Sequence, residues 1–385
     1  MSKLVPAEVF PPGEFIKEEI DARGWNQNDL AEILGRAPRD VSEIINGKRA
    51  ITPATAKVLA DAFGTSAELW MNLESSYQLA KIKPANDTVA RKAKLFEKMP
   101  LREMIRRHWI ENSENIEVLE KRALDFFNIN SIEDEPVFLS HAARKSTSYK
   151  EDASQYQTAW LFRAKELAET VSAKKFTEKT FKDGLDKLKN VFFNVEDIRL
   201  VPHILSESGI RFLVVEHLPT TKIDGVCFWL NKFSPVVALS LRFDRVDNFW
   251  FTLLHELCHV KNKDGLNGDV SIDIDLVGEH AQPFNEKPNV EKGADTFAIE
   301  FPMSKADIED FIARTRPLYS RKKIQGFSAR VGVHPGIVVG QLQHRKEISY
   351  AQHRSMLEKI RNIITSTALT DGWGNSPNLY IGQER

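Results

Sequence analysis

Cysteine is nearly missing from this 385-residue chain: there are two, Cys227 and Cys258, each set in apolar sequence. Two thiols in so long a chain make no disulfide framework, so a reducing compartment, the cytoplasm, is the expected home. Long apolar runs are missing too. No stretch approaches the ~20 residues of a membrane span, and Met1-Ser-Lys-Leu-Val-Pro6 lacks the apolar centre of a signal peptide. An excess of charge is also absent: the formal net charge is -1 and the pI about 6.8, with a mean hydropathy of -0.35. Any affinity for nucleic acid must therefore be local rather than a property of the whole molecule. What remains, 42% apolar and 28% charged residues, suits a globular protein of two or three units.

One stretch carries chemistry. Phe249-Trp-Phe-Thr-Leu-Leu-His255-Glu256-Leu-Cys-His259-Val260 holds the spacing H-E-x-x-H inside an apolar, helix-like run. On a helix, side chains at i and i+4 stack one turn apart, so His255 and His259 converge on one metal ion while Glu256 stands beside it as a general base. A catalytic zinc takes three protein ligands and keeps one position for water, so a later His, Asp or Glu is needed. Glu291 is the best candidate: in Val290-Glu291-Lys-Gly-Ala-Asp295 the E-x-x-x-D spacing puts Glu291 and Asp295 on one helical face, the first as ligand and the second as partner of a ligating histidine. Glu279, His280 and Glu286 compete from a loop rich in Gly, Pro and Asn. His280, Tyr319 and His334 are candidates for stabilising an oxyanion.

The first 80 residues read as short helices. Asn26 caps a helix over Gln27–Leu34, Gly35 turns the chain, and a second helix spans about Pro38 to Asn46, burying Val41, Ile44 and Ile45. Arg39, Asp40, Ser42 and Glu43 then face outward, a helix-turn-helix arrangement. Thr52-Pro53 opens a further helix, and Thr65-x-x-Glu68 reads as a capping box for one more, five in all. Phe10-Pro-Pro-Gly-Glu14, Leu30-Ala31, Ile45-Asn-Gly-Lys-Arg-Ala-Ile-Thr52 and Leu69-Trp-Met-Asn-Leu73 resemble the HigA-type antitoxins of the XRE repressor superfamily. That resemblance implies a dimer that binds double-stranded operator DNA, with Arg36, Arg39 and Ser42 approaching bases and Gln27, Lys48 and Arg49 approaching phosphates.

Downstream, Arg91 to Arg107 is a basic, helical stretch broken at Pro100, whose Leu95, Phe96, Leu101, Met104 and Ile105 form an apolar stripe for packing. Helices over about Ile116–Phe127, Gln155–Ala173 and Phe176–Phe193 follow, then strand-like runs at Arg211–Glu216, Gly225–Leu230 and Pro235–Arg242. A substrate is expected to extend along an edge formed by Val236 to Arg242. Arg330 to Leu342 reads as helix, glycine turn and helix, with a packing role, and one further helix is expected from Tyr350 to Ile364. The H-E-x-x-H run, Glu291-Lys-Gly-Ala-Asp295-Thr-Phe297-Ala298 and Pro302-Met303 together resemble the ImmA/IrrE family of zinc metallopeptidases, with Gly293 where that family usually carries a Glu. The resemblance implies a zincin-like fold, Zn2+, and cleavage of a repressor at a specific site.

The expected architecture is multidomain, mainly α with a small β-sheet: a five-helix helix-turn-helix domain over 1–83, a helical linker region over 84–150, an α+β metallopeptidase domain over 151–349, and a C-terminal helix and tail over 350–385. Two functions stay open. One is a regulator whose peptidase cleaves a repressor- or toxin-type partner; the other is a repressor or antitoxin whose metal domain is a non-catalytic sensor or docking module.

Overall fold

The computed structural model describes residues 10–82, 88–138, 154–266, 270, 272–279 and 281–371. The chain divides into two compact units, residues 1–90 and 91–385.

The first unit consists of α1 (Pro12–Arg23), α2 (Gln27–Ile33), α3 (Pro38–Ile45), α4 (Pro53–Phe63) and α5 (Ala67–Lys81). Asn26 starts α2 through a reciprocal cap: its side chain accepts from the Asn28 and Asp29 amides, and the Asp29 carboxylate accepts from the Asn26 amide. Gly35, at φ 61°, supplies the left-handed turn into α3. Ile16, Leu30, Val41, Ile44, Leu59, Phe63 and Trp70 form the core. Gly13 lets α1 and α3 meet, because a Cβ there would lie 1.9 Å from the Ile45 carbonyl oxygen. The expected Thr65 capping box is displaced by one residue. Ser66 Oγ caps α5 by accepting from the Leu69 amide, which leaves Thr65 Oγ1 to accept from the buried Trp70 indole at 2.8 Å.

Beyond it come α6 (Thr88–Lys98), α7 (Leu101–Arg106), α8 (Ile116–Phe127), α9 (Gln155–Thr170), α10 (Glu178–Lys189) and α11 (Val201–Glu207). The strands are β1 (Arg211–Val214), β2 (Ile223–Asn231) and β3 (Ser234–Leu239), followed by α12 (Val246–Asn262) and β4 (Ile272–Ile274). The rest comprises α13 (Asn289–Glu300), α14 (Lys305–Thr315), α15 (Arg321–Val331), α16 (Pro335–His344), α17 (Arg361–Ile364) and β5 (Leu369–Thr370). The sheet order is β4-β2-β3-β1-β5. β1 runs parallel to β3 and β5, while β2 is antiparallel to β3 and β4.

Both sheet faces are covered, and the strands alternate between them. Phe212, Val214, Cys227, Trp229, Val237 and Leu239 pack with α12, while Leu213, Val215, Val226, Phe228, Val236 and Ala238 pack with α6 to α9. Residues 91–138 are thus part of the second unit's core rather than a linker, because Leu95, Leu101, Met104, Leu119 and Phe127 need the sheet to leave water. The charges of that basic stretch are neutralised locally: Arg91 pairs with Glu120, Lys94 and Lys98 with Glu133, Arg106 with Glu103.

Two further expectations change. β3 lies between β2 and β1, so the described edges are β4 and β5, not Val236 to Arg242. Residues 350–364 are not one helix but a 3-10 turn at Arg354–Met356 and the short α17. Asp244 Oδ1 accepts from the Ile360 and Arg361 amides and so fixes a new helix start, and the segment's buried Met356, Ile360 and Ile364 join the core. α16 is largely buried against α12, which fits the packing role expected for the second helix-turn-helix pattern. Among the described residues, no helix is long and apolar enough to cross a membrane.

Candidate functional site

α12 is buried along nearly its whole length, and its last two turns present His255 and His259 on one face. Their Nε2 atoms lie 3.1 Å apart. From α13, Glu291 Oε2 comes to 3.0 Å from His255 Nε2 and 3.7 Å from His259 Nε2. From β4, Asp273 Oδ2 reaches 3.4 Å from His255 Nε2. These four side chains offer donor atoms that all lie within 4.8 Å of one another and could hold a metal ion. A tetrahedral ion bound at ~2.0–2.2 Å spaces its donors by about 3.3–3.6 Å, so the arrangement fits one.

The other ring nitrogens are also engaged. His255 Nδ1 faces Asp295 Oδ1 at 3.0 Å, and His259 Nδ1 faces Asp264 Oδ2 at 2.9 Å. Carboxylates in those positions fix ring orientation and make the opposite nitrogen a better donor. Asp295 is shared: its Oδ2 accepts from Lys287 Nζ at 2.7 Å, and both groups are buried.

Glu256 is fully buried, and neither carboxylate oxygen has a hydrogen-bond partner among the described residues. It is held under β2 at Gly225, where a Cβ would meet Glu256 Oε1 at 2.3 Å. Burial first, then the neighbouring Asp273 and Glu291, raises its proton affinity well above the usual carboxylate range. Burial opposes the charged form of His255, yet Asp273, Asp295 and Glu291 outweigh it and push the ring up to about 9. Burial likewise works against ionisation of Glu291, but the two imidazoles hold its carboxyl well below the ordinary range. The donor set is thus built around a positive centre, which a divalent cation would supply.

Among the other ligand candidates, Glu279 and Glu286 are exposed and outside the cluster, and His280 lies outside the described residues. Tyr319 donates to Glu347 at 2.6 Å; burial and that carboxylate push its hydroxyl up to about 12. His334 caps α16, its Nδ1 accepting from the Gly336 amide at 3.0 Å. Both are therefore committed elsewhere. Asp273, Asp264 and Lys287 were missed in the sequence. Asp264 had a signal, an acid five residues after His259 and just past the helix end; Asp273 had only an acid between two isoleucines.

In the head, the residues expected to meet DNA run from the start of α2 to the turn after α3. Gln27, Arg39, Lys48 and Arg49 are exposed, and Arg36 and Ser42 half-buried. Two of the arginines are engaged: Arg39 pairs with Glu43 at 3.0 Å, and Arg49 with Asp40 and Glu43, each at 3.0 Å. Ser42 Oγ accepts from the Asn46 side chain at 3.2 Å.

A family model described as "Helix-turn-helix" matches residues 16–70, and one described as "IrrE N-terminal-like domain" matches residues 206–346. An uncharacterized HTH-type transcriptional regulator, YddM of Escherichia coli K12, is 32% identical over 76 residues, which span 20% of this chain and 81% of that protein. Virulence-associated protein A' of Dichelobacter nodosus is 39% identical over 72 residues, 18% of this chain and 63% of that protein. A solved addiction-module antidote protein of a HigA family from Coxiella burnetii is 31% identical, covers 24% of this chain and 96% of that chain, and has a TM-score of 0.19. These relatives align with a fifth to a quarter of the chain. By its head the chain belongs to the helix-turn-helix transcriptional regulators, and joined to that head it carries a metallopeptidase-family domain of the IrrE N-terminal-like type.

Proposed function

We propose that the second unit is a zinc-dependent endopeptidase that cleaves one specific protein partner, of repressor or toxin type, and that the head binds double-stranded operator DNA as a homodimer in the cytoplasm. The observation that carries the peptidase reading is the convergence of His255, His259 and Glu291, at 3.0–3.7 Å from one another, beside a buried Glu256 without a partner. Two imidazoles and carboxylate oxygen suit zinc better than magnesium or calcium, which prefer all-oxygen sites.

Bound zinc would supply Lewis-acid activation of a water and of the scissile carbonyl. Glu256 takes the proton of the attacking water and returns it to the leaving amine, a task its raised proton affinity suits. Asp295 and Asp264 keep the two rings in register. A substrate strand would pair along β4, the described edge nearest the cluster.

The test is Glu256→Gln in cells, with zinc content measured in both proteins and protein N-termini profiled across the proteome. The expected result is a small set of new N-termini with the wild type alone. Identical profiles at equal zinc content would remove the peptidase. Asp273 favours a second reading, a non-catalytic metal domain, because a fourth protein donor leaves a tetrahedral ion no open position; the same profiles decide between the two. For the head, binding to the promoter of its own operon at two salt concentrations, with and without Arg39→Ala, is the measurement. A protein that shifts no DNA at low salt, or an Arg39→Ala variant that binds like wild type, would count against it.

A further inference from the structure

We propose that Asp273 is a fourth protein ligand that closes the metal site in the resting protein, so that the peptidase is latent until β4 moves. The inference rests on the metal reading above and adds regulation to it.

Three observations support it. Asp273 is 6% exposed, and its Oδ2 has no hydrogen-bond partner among the described residues although it points at the donor cluster, 3.4 Å from His255 Nε2. Leaving a buried carboxylate oxygen unpaired is costly, and a bound cation is the partner this position offers. Second, the spacings fit a complete shell: His255 to His259, to Glu291 and to Asp273 measure 3.1, 3.0 and 3.4 Å. Structural zinc sites have four protein ligands and catalytic ones three, so four donors make a closed site.

Third, the fourth donor comes from a different kind of element than the other three. His255, His259 and Glu291 stand on α12 and α13, two long helices packed against each other. Asp273 stands on β4, a three-residue edge strand whose only strand neighbour is β2, through Ile223–Ile274, Gly225–Asp273 and Val226–Ile272. Its register shifts between Ile223 and Gly225. Moving β4 breaks a few edge pairings and leaves the three-ligand site on the helices intact. Because β4 is also the edge along which a substrate strand would pair, engagement of the right partner would both deliver the peptide and withdraw Asp273. Latency of this kind restrains a protease made in the same compartment as its substrates.

The test uses the full-length protein, Asp273→Ala and Asp273→Asn, each loaded with Co2+ and titrated with acetohydroxamate while the visible cobalt bands are followed. Wild type should take up one Co2+ and resist the hydroxamate. Asp273→Ala should bind acetohydroxamate at least about tenfold more tightly, the scale of effect that carboxylates around such ions exert, and should gain activity against an unstructured protein such as casein. Asp273→Asn, which keeps the shape but donates more weakly, should show the same tightening and decides the matter if the alanine variant does not fold. Equal hydroxamate affinity in all folded forms, each with one Co2+, overturns the closed site and leaves the metal reading standing. Failure of every form to bind Co2+ overturns both.

Discussion

Replacing Asp295 separates two jobs that this carboxylate does at once. Its Oδ1 faces His255 Nδ1 at 3.0 Å and its Oδ2 holds Lys287 Nζ at 2.7 Å, with Asp295 2% and Lys287 8% exposed. In Asp295→Ala the ammonium of Lys287 stays buried without its counter-ion, and removing one partner of a buried pair costs about 3–5 kcal/mol. For a unit of this size that lowers Tm by on the order of 10 °C. The His255 ring also loses its orienting carboxylate, which lowers zinc affinity about 10- to 100-fold. Adding Lys287→Met removes the stranded charge but does not restore the ring's partner. The double variant should therefore recover most of the Tm of the metal-free protein while its zinc affinity stays low. Calorimetry without metal and competition with a chromophoric chelator read the two quantities separately. A double variant no more stable than Asp295→Ala, or a zinc affinity within about twofold of wild type in both, a change too small for an orienting partner, would refute the reasoning.

Zinc affinity should rise with pH. In the metal-free protein His255 is pushed from 6.5 up to about 9, so below that value the ion must expel a proton, and apparent affinity falls by about tenfold per pH unit for each proton released; a flat profile between pH 6 and 9 would contradict this. The same raised value means that the ring's ionic stabilisation of the metal-free fold is full below pH 6.5 and lost as pH rises through about 9. In the head, Thr65→Val removes the acceptor of the buried Trp70 indole and should cost about 1–3 kcal/mol, seen as earlier unfolding in urea; an unchanged midpoint would show the bond to be dispensable. Gly225→Ala puts a methyl into Glu256 and should cost about 1–3 kcal/mol by overpacking while zinc still binds; unchanged stability would mean that Glu256 is not pinned under β2.

What the sequence made legible was local. His255, Glu256 and His259 follow from one helical turn, and Glu291 with Asp295 from another, so their mutual positions are set within α12 and α13. Asp273 could not be found that way, because only the register of β4 on β2 brings it over α12. Asp264 depends on the left-handed Lys263 that wraps the chain back onto His259. The stripe of Leu95, Leu101 and Met104 announced a helix with an apolar face but not the sheet that covers it. Residues 350–364 have helical spacing in their apolar residues, and tertiary bonds to Asp244 override it. Thr65 and Ser66 are adjacent hydroxyls, and which one caps was decided by the indole of Trp70.

The pairing of Leu213 with Leu369 has a consequence in time. Everything the head needs is present once α5 has been made, whereas the sheet beneath α12 gains β5 only after the chain has run through seventeen helices. At about 5–20 residues per second, the interval between α5 and β5 is on the order of 15–60 s. During synthesis the head is therefore folded, and ready for whatever it binds, well before the sheet beneath α12 is complete.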